Sequence, residues 1–235
     1  MHKRRLYRNL VLTIITVSLM CGCNGRTYIP DTVVCEYTEK DVPASSVMLT
    51  FPMSATDSPL IVEKLIPYQG PFWEDGSGAY VQNVAGLMLY NPTDRMIAFV
   101  SYAIRQGDEQ LYFFAYQLPP QSRCLVLEYH KKVCVPEAVT ECRELCIRWE
   151  NQEFSREQID YVGLGPLMTI VNRDIRQLKH VTVWYKRYVK EEDYYLGGVA
   201  YSAHLFFIQP DERRTIQPEH YNTSRARIVG IQLET

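Results

Sequence analysis

Histidine, cysteine and carboxylate side chains are the groups that hold metals or drive acid–base and nucleophilic chemistry, and their spacing here assembles few such sites. His130, His180, His204 and His220 stand apart in the sequence and follow no His-Glu-x-x-His pattern. Cys142 and Cys146 supply half of a zinc site whose other half is missing. No Gly-x-Ser-x-Gly occurs, and Gly163-x-Gly165-Pro166 lacks the lysine and the following helix of a phosphate loop. The acidic stretch Glu74-Asp75-Gly76 departs from EF-hand spacing and reads as a solvated turn, as does Glu191-Glu192-Asp193. The expectation is a protein that is not an enzyme, with no catalytic, cofactor-binding or metal-ligating residue to assign.

Aromatic rings are the remaining candidates. Flat rings on a sheet face or loop edge hold sugars and partner proteins, and Trp73, Trp184, Tyr188, Tyr194 and Tyr195 are the candidate glycan or partner contacts. Packing in a core or along an edge competes for the same rings. Trp184 is opposite in phase to Val183 and Tyr185, so one of these sets faces away from the core. The sequence leaves open which.

The elements that must position these residues read as strands. Val84 to Tyr102 gives an apolar run, an Asn91-Pro92-Thr93-Asp94 turn and a second strand, and the same layout returns from Leu167 to Lys186 around Asn172. Asn91 and Asn172 are 172 minus 91, or 81, residues apart. Leu118-Pro119-Pro120 and Ile208-Gln209-Pro210 are 210 minus 120, or 90, apart, which puts 9 extra residues in the second copy around Tyr188 to Gly198. A lengthened hairpin loop is the expected use of that insert. Tyr112, Phe114, Tyr116 and Leu118 alternate onto one strand face, Cys142 to Trp149 reads as a closing strand, and Gly197-Gly198 marks a tight turn. No convincing amphipathic helix is present.

Ahead of the strands, His2-Lys3-Arg4-Arg5 and the apolar Leu10 to Met20 form an export signal. At about 1.5 Å per residue this run is shorter than the roughly 30 Å of a bilayer core. Cys23, preceded by Gly22, is the candidate lipidated residue, with Cys21 or an uncleaved anchor as alternatives. Pro30, Pro43, Pro52 and Pro59 mark a stalk. The division expected is 1-23 lipoprotein-type signal peptide, 24-59 stalk, 60-155 first β-sandwich and 156-235 second β-sandwich. Beyond the signal remain Cys35, Cys124, Cys134, Cys142 and Cys146, an odd set that leaves at least one thiol free. Cys124 could cross-link to Cys134 or Cys142, or all could be buried free thiols. A net charge of -2 argues against nucleic acid as a partner.

The fold class expected is all-β, two tandem antiparallel β-sandwich domains after a signal helix and stalk. The lipobox-like Met20-Cys21-Gly22-Cys23, the Tyr68 to Gly76 loop, the Asn91 turn, Leu118-Pro119-Pro120, Val126-Leu127-Glu128, Tyr185-Lys186 and Gly197 to Tyr201 together resemble uncharacterised surface lipoproteins of Gram-positive bacteria. The resemblance covers most of residues 60 to 235. It implies tandem immunoglobulin-like or fibronectin-like sandwiches and no known activity. The functional expectation is a non-catalytic binding or spacer protein, held on the extracytoplasmic face of the cell membrane by an N-terminal lipid, with an unknown protein or glycan partner. The alternative is a carbohydrate-binding module acting at the cell wall or on glycans.

Overall fold

The computed structural model describes residues 49–54, 58–150 and 157–234. The expected signal peptide with Cys21 and Cys23, most of the stalk, Cys35 and residues 151–156 of the expected domain boundary lie outside the described residues.

Twelve of the strands form two sets with one pairing scheme. In the first, β1 (Ile61–Pro71), β2 (Tyr80–Asn91) and β5 (Ser122–Leu127) make one antiparallel sheet with β2 central. The opposing sheet has β3 (Ile97–Gln106) between β4 (Glu109–Leu118) and β6 (Val139–Trp149). In the second set, β7 (Ile159–Leu164) and β12 (Arg213–Ile216) flank β8 (Leu167–Asn172), while β11 (Tyr201–Ile208) and β13 (Ala226–Glu234) flank β9 (Leu178–Val189). The fold is all-β, built of facing antiparallel sheets, and the chain repeats one topology.

The two asparagines are the physical core of the repeat. Asn91 Nδ2 donates to Arg95 O (2.9 Å) and Pro119 O (3.0 Å), and Oδ1 accepts from Thr93 N (3.1 Å). Asn172 Nδ2 donates to Arg176 O (2.8 Å) and Ile208 O (3.1 Å), and Oδ1 accepts from Asp174 N (2.8 Å). Each buried amide thus closes its own turn and ties it to the end of a later strand, which is why asparagine recurs with the Leu118 and Ile208 landmarks. Left-handed backbone recurs too: Gln117 (φ 48) and Gln121 (φ 49) match Phe207 (φ 55) and Asp211 (φ 57) at the 90-residue offset.

Gln117 corrects the expected face of β4. Leu111, Phe113 and Ala115 enter the core, so Tyr112, Phe114 and Tyr116 lie on the other face, half-buried. The left-handed residue then shifts the alternation, and Leu118 returns to the core. The end of the expected stalk also belongs to the fold, since Leu49, Phe51 and Met53 pack on the first core and Met53 bridges to Val62.

The inserted residues are not a free loop. They extend β9 and form β10 (Tyr194–Leu196), which lies antiparallel to β9 and parallel to β5, with Tyr195 opposite Cys124 and Leu196 opposite Leu125. One sheet therefore runs from the first sandwich into the second. Buried Val181, Val183 and Tyr185 fill the second core, while Trp184 and Tyr188 join the first together with Tyr195, Ala200 and Val229. Both phases of β9 are buried, each on a different side. That resolves the question the alternation left open.

Candidate functional site

The joint between the sandwiches is built around one buried cation. Lys186 follows the phase of Trp184, which carries its side chain away from the second core and toward β4. It is fully buried, and Nζ donates to Tyr116 O (2.9 Å), Gly198 O (2.8 Å) and Val199 O (2.9 Å). Three donors meet three acceptors, as a buried ammonium requires. Burial nevertheless holds its pKa below the usual lysine range.

Glu74 is the facing anion. Instead of a solvated tip, the loop after β1 inserts this carboxylate into the joint, where it accepts from Leu127 N (2.7 Å) and, through its two oxygens, from Gly198 N (2.8 and 2.9 Å). Burial pushes Glu74 up to about 7, against the pull of these N–H donors and of Lys186. Its neighbour Asp75 stays outside and pairs with Lys131 at 2.8 Å. The Asp75 carboxyl is held below the usual carboxylate range by hydrogen bonds from Lys131 and Ser77, which outweigh its desolvation.

Gly198 makes the close approach possible. A Cβ there would lie 1.7 Å from Phe114 O and 3.0 Å from Val126 Cγ1, so the position excludes any side chain. Its neighbours complete the weld: Tyr116 N donates to Gly198 O (2.8 Å), Gly197 N to Leu125 O (2.8 Å) and Cys124 Sγ to Gly197 O (3.3 Å). The expected Gly197-Gly198 turn is thus the contact strip on which the second sandwich meets the edge of β4.

Beside this joint a cleft of about 600 Å³ opens between the domains. Tyr116, Gln117, Trp149 and Glu150 line it from the first sandwich, Trp184 and Gln232 from the second. Glu150 Oε2 accepts from Gln117 Nε2 (3.1 Å) and, at 3.5 Å, from Gln232 Nε2, so an amide from each domain meets one carboxylate. The Arg95 guanidinium lies 4.5 Å over the Trp149 ring and that of Arg148 lies 5.1 Å over Phe99.

The aromatic candidates are divided. Trp184, Tyr188 and Tyr195 are buried, with the Tyr188 and Tyr195 rings 5.4 Å apart, so they are core packing at the joint and not an open platform. Tyr194 is half-buried against the small cluster of Phe72, Met88 and Leu125. The Trp73 ring has the Arg187 guanidinium at 3.5 Å and His220 edge-on at 6.5 Å. Only Trp184 reaches the cleft. What sequence reasoning missed is the outer face of β4: Tyr116 and Phe114 lie 5.0 and 6.4 Å from Phe99, and Tyr129 closes on Phe114 at 5.4 Å. The alternation of Tyr112, Phe114 and Tyr116 was the signal for this face, read there without its direction.

Two histidines that are distant in sequence do meet. Pairing of β9 with β11 brings His180 Nε2 to 3.0 Å from His204 Nδ1, with Ser202 Oγ 3.0 Å from His204 Nε2 and Glu234 Oε2 3.5 Å from His180 Nδ1. Among the described residues no three His, Cys, Asp or Glu side chains converge as a metal-ligand set. Cys124, Cys134 and Cys142 are unbridged thiols, so neither cross-link of Cys124 forms. Burial raises Cys124 and Cys134 to about 11 and Cys142 to about 12, which leaves little nucleophilic thiolate. Comparison with protein-family models, with curated proteins and with solved structures gives no match to this chain.

Proposed function

We propose that this protein is a non-catalytic binding module, tethered by lipid at Cys23 to the extracytoplasmic face of the membrane, whose two sandwiches act as one body with a ligand cleft between them. The observation that carries the reading is the cleft itself. Its lining comes from both domains and includes the Glu150 carboxylate, which accepts from Gln117 and Gln232. Concave sites at domain joints with a few convergent polar groups are where ligands are held. The well-buried, high-pKa thiols support a binding role over a nucleophilic one. The lipid anchor is supported by the charged and apolar leader ending in Gly22-Cys23.

Expression of the full chain and of Cys23→Ala in a Gram-positive host, with membrane fractionation and mass spectrometry of the mature N-terminus, tests the tether. The reading expects a diacylglyceryl-modified Cys23 as the first residue and loss of membrane association in the variant. An unmodified peptide beginning at Met1 overturns it.

A further inference from the structure

Arg187 carries a half-buried charge that the fold leaves uncompensated. It follows Lys186 on β9 and so takes the opposite face, at the end of the second sandwich, with its guanidinium 3.5 Å over the Trp73 ring. Contact through the ring face leaves the in-plane N–H donors unused. Among the described residues they meet no hydrogen-bond acceptor and no carboxylate, yet none of the nitrogens is sealed from solvent. Burial holds the Arg187 pKa below the usual arginine range; the like charge of Arg225 adds to this, and the Tyr201 and Tyr68 hydroxyls oppose it.

Two comparisons within the chain mark this as an exception. Arg123, Arg173 and Arg176 hold carboxylate oxygens at 2.9, 2.6 and 2.9 Å. The counterpart of Arg187 in the first repeat is Gln106, since 187 minus 106 is 81, the offset of the two asparagines. There both ends of the amide are satisfied by the closing loop: Nε2 donates to Val133 O (2.9 Å) and Oε1 accepts from Val135 N (2.6 Å). The loop over residues 217–225, which closes the second sandwich, brings further donors instead. Its His220 ring lies 4.7 Å from Tyr201 and 6.5 Å from Trp73, and Arg225 ends it beside Ala226, the cross-strand partner of Arg187. The neighbouring carboxylates are engaged elsewhere or turned outward. Glu74 accepts from Leu127 N and Gly198 N, Asp75 pairs with Lys131, and Glu219, 3.9 Å from His220 Nε2, has a side chain 66% exposed. A half-buried cation without a counter-charge calls for an anion from outside the fold. A carboxylate offers one charge in one plane and matches one guanidinium. A phosphate group carries nearly two charges, and its oxygens point in three directions, which suits donors on separate elements.

We propose that Arg187, Arg225 and His220 hold the phosphate group of a small ligand beside Trp73, at a site apart from the interdomain cleft, whose lining does not include them. The Arg187 fork takes two of the oxygens in plane, and Arg225 and the imidazole take the others. Trp73 comes from the first sandwich and the donors from the second, so the site exists only where the two are joined.

The test titrates the detergent-solubilised full chain, at pH 7 and low ionic strength, with inorganic phosphate, glycerol 3-phosphate and acetate, followed by calorimetry and tryptophan fluorescence. The expected result is saturable binding of inorganic phosphate or glycerol 3-phosphate, at least tenfold tighter than acetate. Arg187→Gln should weaken it at least tenfold and Arg225→Gln several-fold, while Arg213→Gln, at an exposed position on β12, should leave it unchanged. Tighter binding of the ester assigns the site to organic phosphates and tighter binding of inorganic phosphate to the free ion; either supports the proposal. Phosphate should also raise the unfolding midpoint of the parent and not that of Arg187→Gln. The midpoint of each variant without ligand separates lost contacts from lost fold, and Arg225→Gln carries the test if Arg187→Gln does not fold. Absence of saturable phosphate binding, equal affinity in folded Arg187→Gln, or acetate bound as tightly as phosphate overturns the proposal. None of these results bears on the cleft or the tether.

Discussion

Replacing Lys186 with methionine is the sharpest perturbation of the joint. The side chain keeps most of its length and loses the ammonium, so Tyr116 O, Gly198 O and Val199 O lose their Nζ donor. Gly198 O retains Tyr116 N, which leaves two carbonyls short of a partner at about 1–3 kcal/mol each. Glu74 also loses its cation. Against this stands the desolvation no longer spent on the ammonium, several kcal/mol in a buried site. Because the ammonium is fully satisfied, the lost bonds outweigh that recovery, and the net loss is about 3 kcal/mol.

The loss should depend on pH in a defined direction. Glu74 has a folded-state value of about 7, above its ordinary 4.5, so the folded chain holds more protons than the unfolded one between these values. Its contribution to stability is fully present below about 4.5 and is lost as pH rises through 7, an effect of up to about 3 kcal/mol. At pH 5 the carboxyl is mostly protonated and needs no counter-ion; at pH 8 it does. Lys186→Met should therefore lose more stability at pH 8 than at pH 5. Equilibrium urea unfolding at both values, with exposed Lys190→Met as control, measures this. A loss below about 0.5 kcal/mol at pH 8, the size of an ordinary surface change, refutes the reasoning.

Gly198→Ala should cost more than about 3 kcal/mol or abolish folding, because its Cβ meets backbone at 1.7 Å, whereas Gly107→Ala, with φ +58 and open space, should cost only about 1–2 kcal/mol in denaturant unfolding. Asn91→Ala and Asn172→Ala should each lose about 2–4 kcal/mol, since each strands at least two carbonyls; a large loss at one site and none at the other contradicts equivalence of the repeats. Labelling with iodoacetamide at pH 8, followed by peptide mapping, should leave Cys124 and Cys142 largely unmodified in the folded chain and modify both after urea unfolding, because burial pushes their thiols up to about 11 and 12.

Strand content, the two asparagine turns and the landmark order were legible because each rests on local chemistry. A buried Asx side chain closing its own turn leaves a mark in sequence, and strand alternation leaves another. The joint was not legible, because its parts look solvated one at a time. Glu74 lies in an acidic Gly-rich loop and Lys186 near the charged insert, and only tertiary placement 124 residues apart brings Glu74 onto Gly198 N. Burial of both phases of β9 was likewise hidden, since alternation assigns faces without saying that each face has a cover. The direction of the outer face of β4 was left unread for a related reason. Tyr112, Phe114 and Tyr116 are as apolar as Leu111, Phe113 and Ala115, so composition could not choose between them, and the left-handed Gln117 that returns Leu118 to the core carries no sequence signal of its own.

The central claim is that β10 and the Gly197-Gly198 strip fuse the two sandwiches and so create the cleft. Native-state amide hydrogen exchange at Tyr116, Gly197 and Gly198 tests it directly, since these N–H groups donate across the joint to Gly198 O, Leu125 O and the Glu74 carboxylate. The account predicts that all three are protected to the level of core amides such as Val100 and Val183, and that Lys186→Met lowers their protection together. Exchange at the rate of exposed loop amides, with Val100 and Val183 still protected, would show two independent sandwiches and no built cleft.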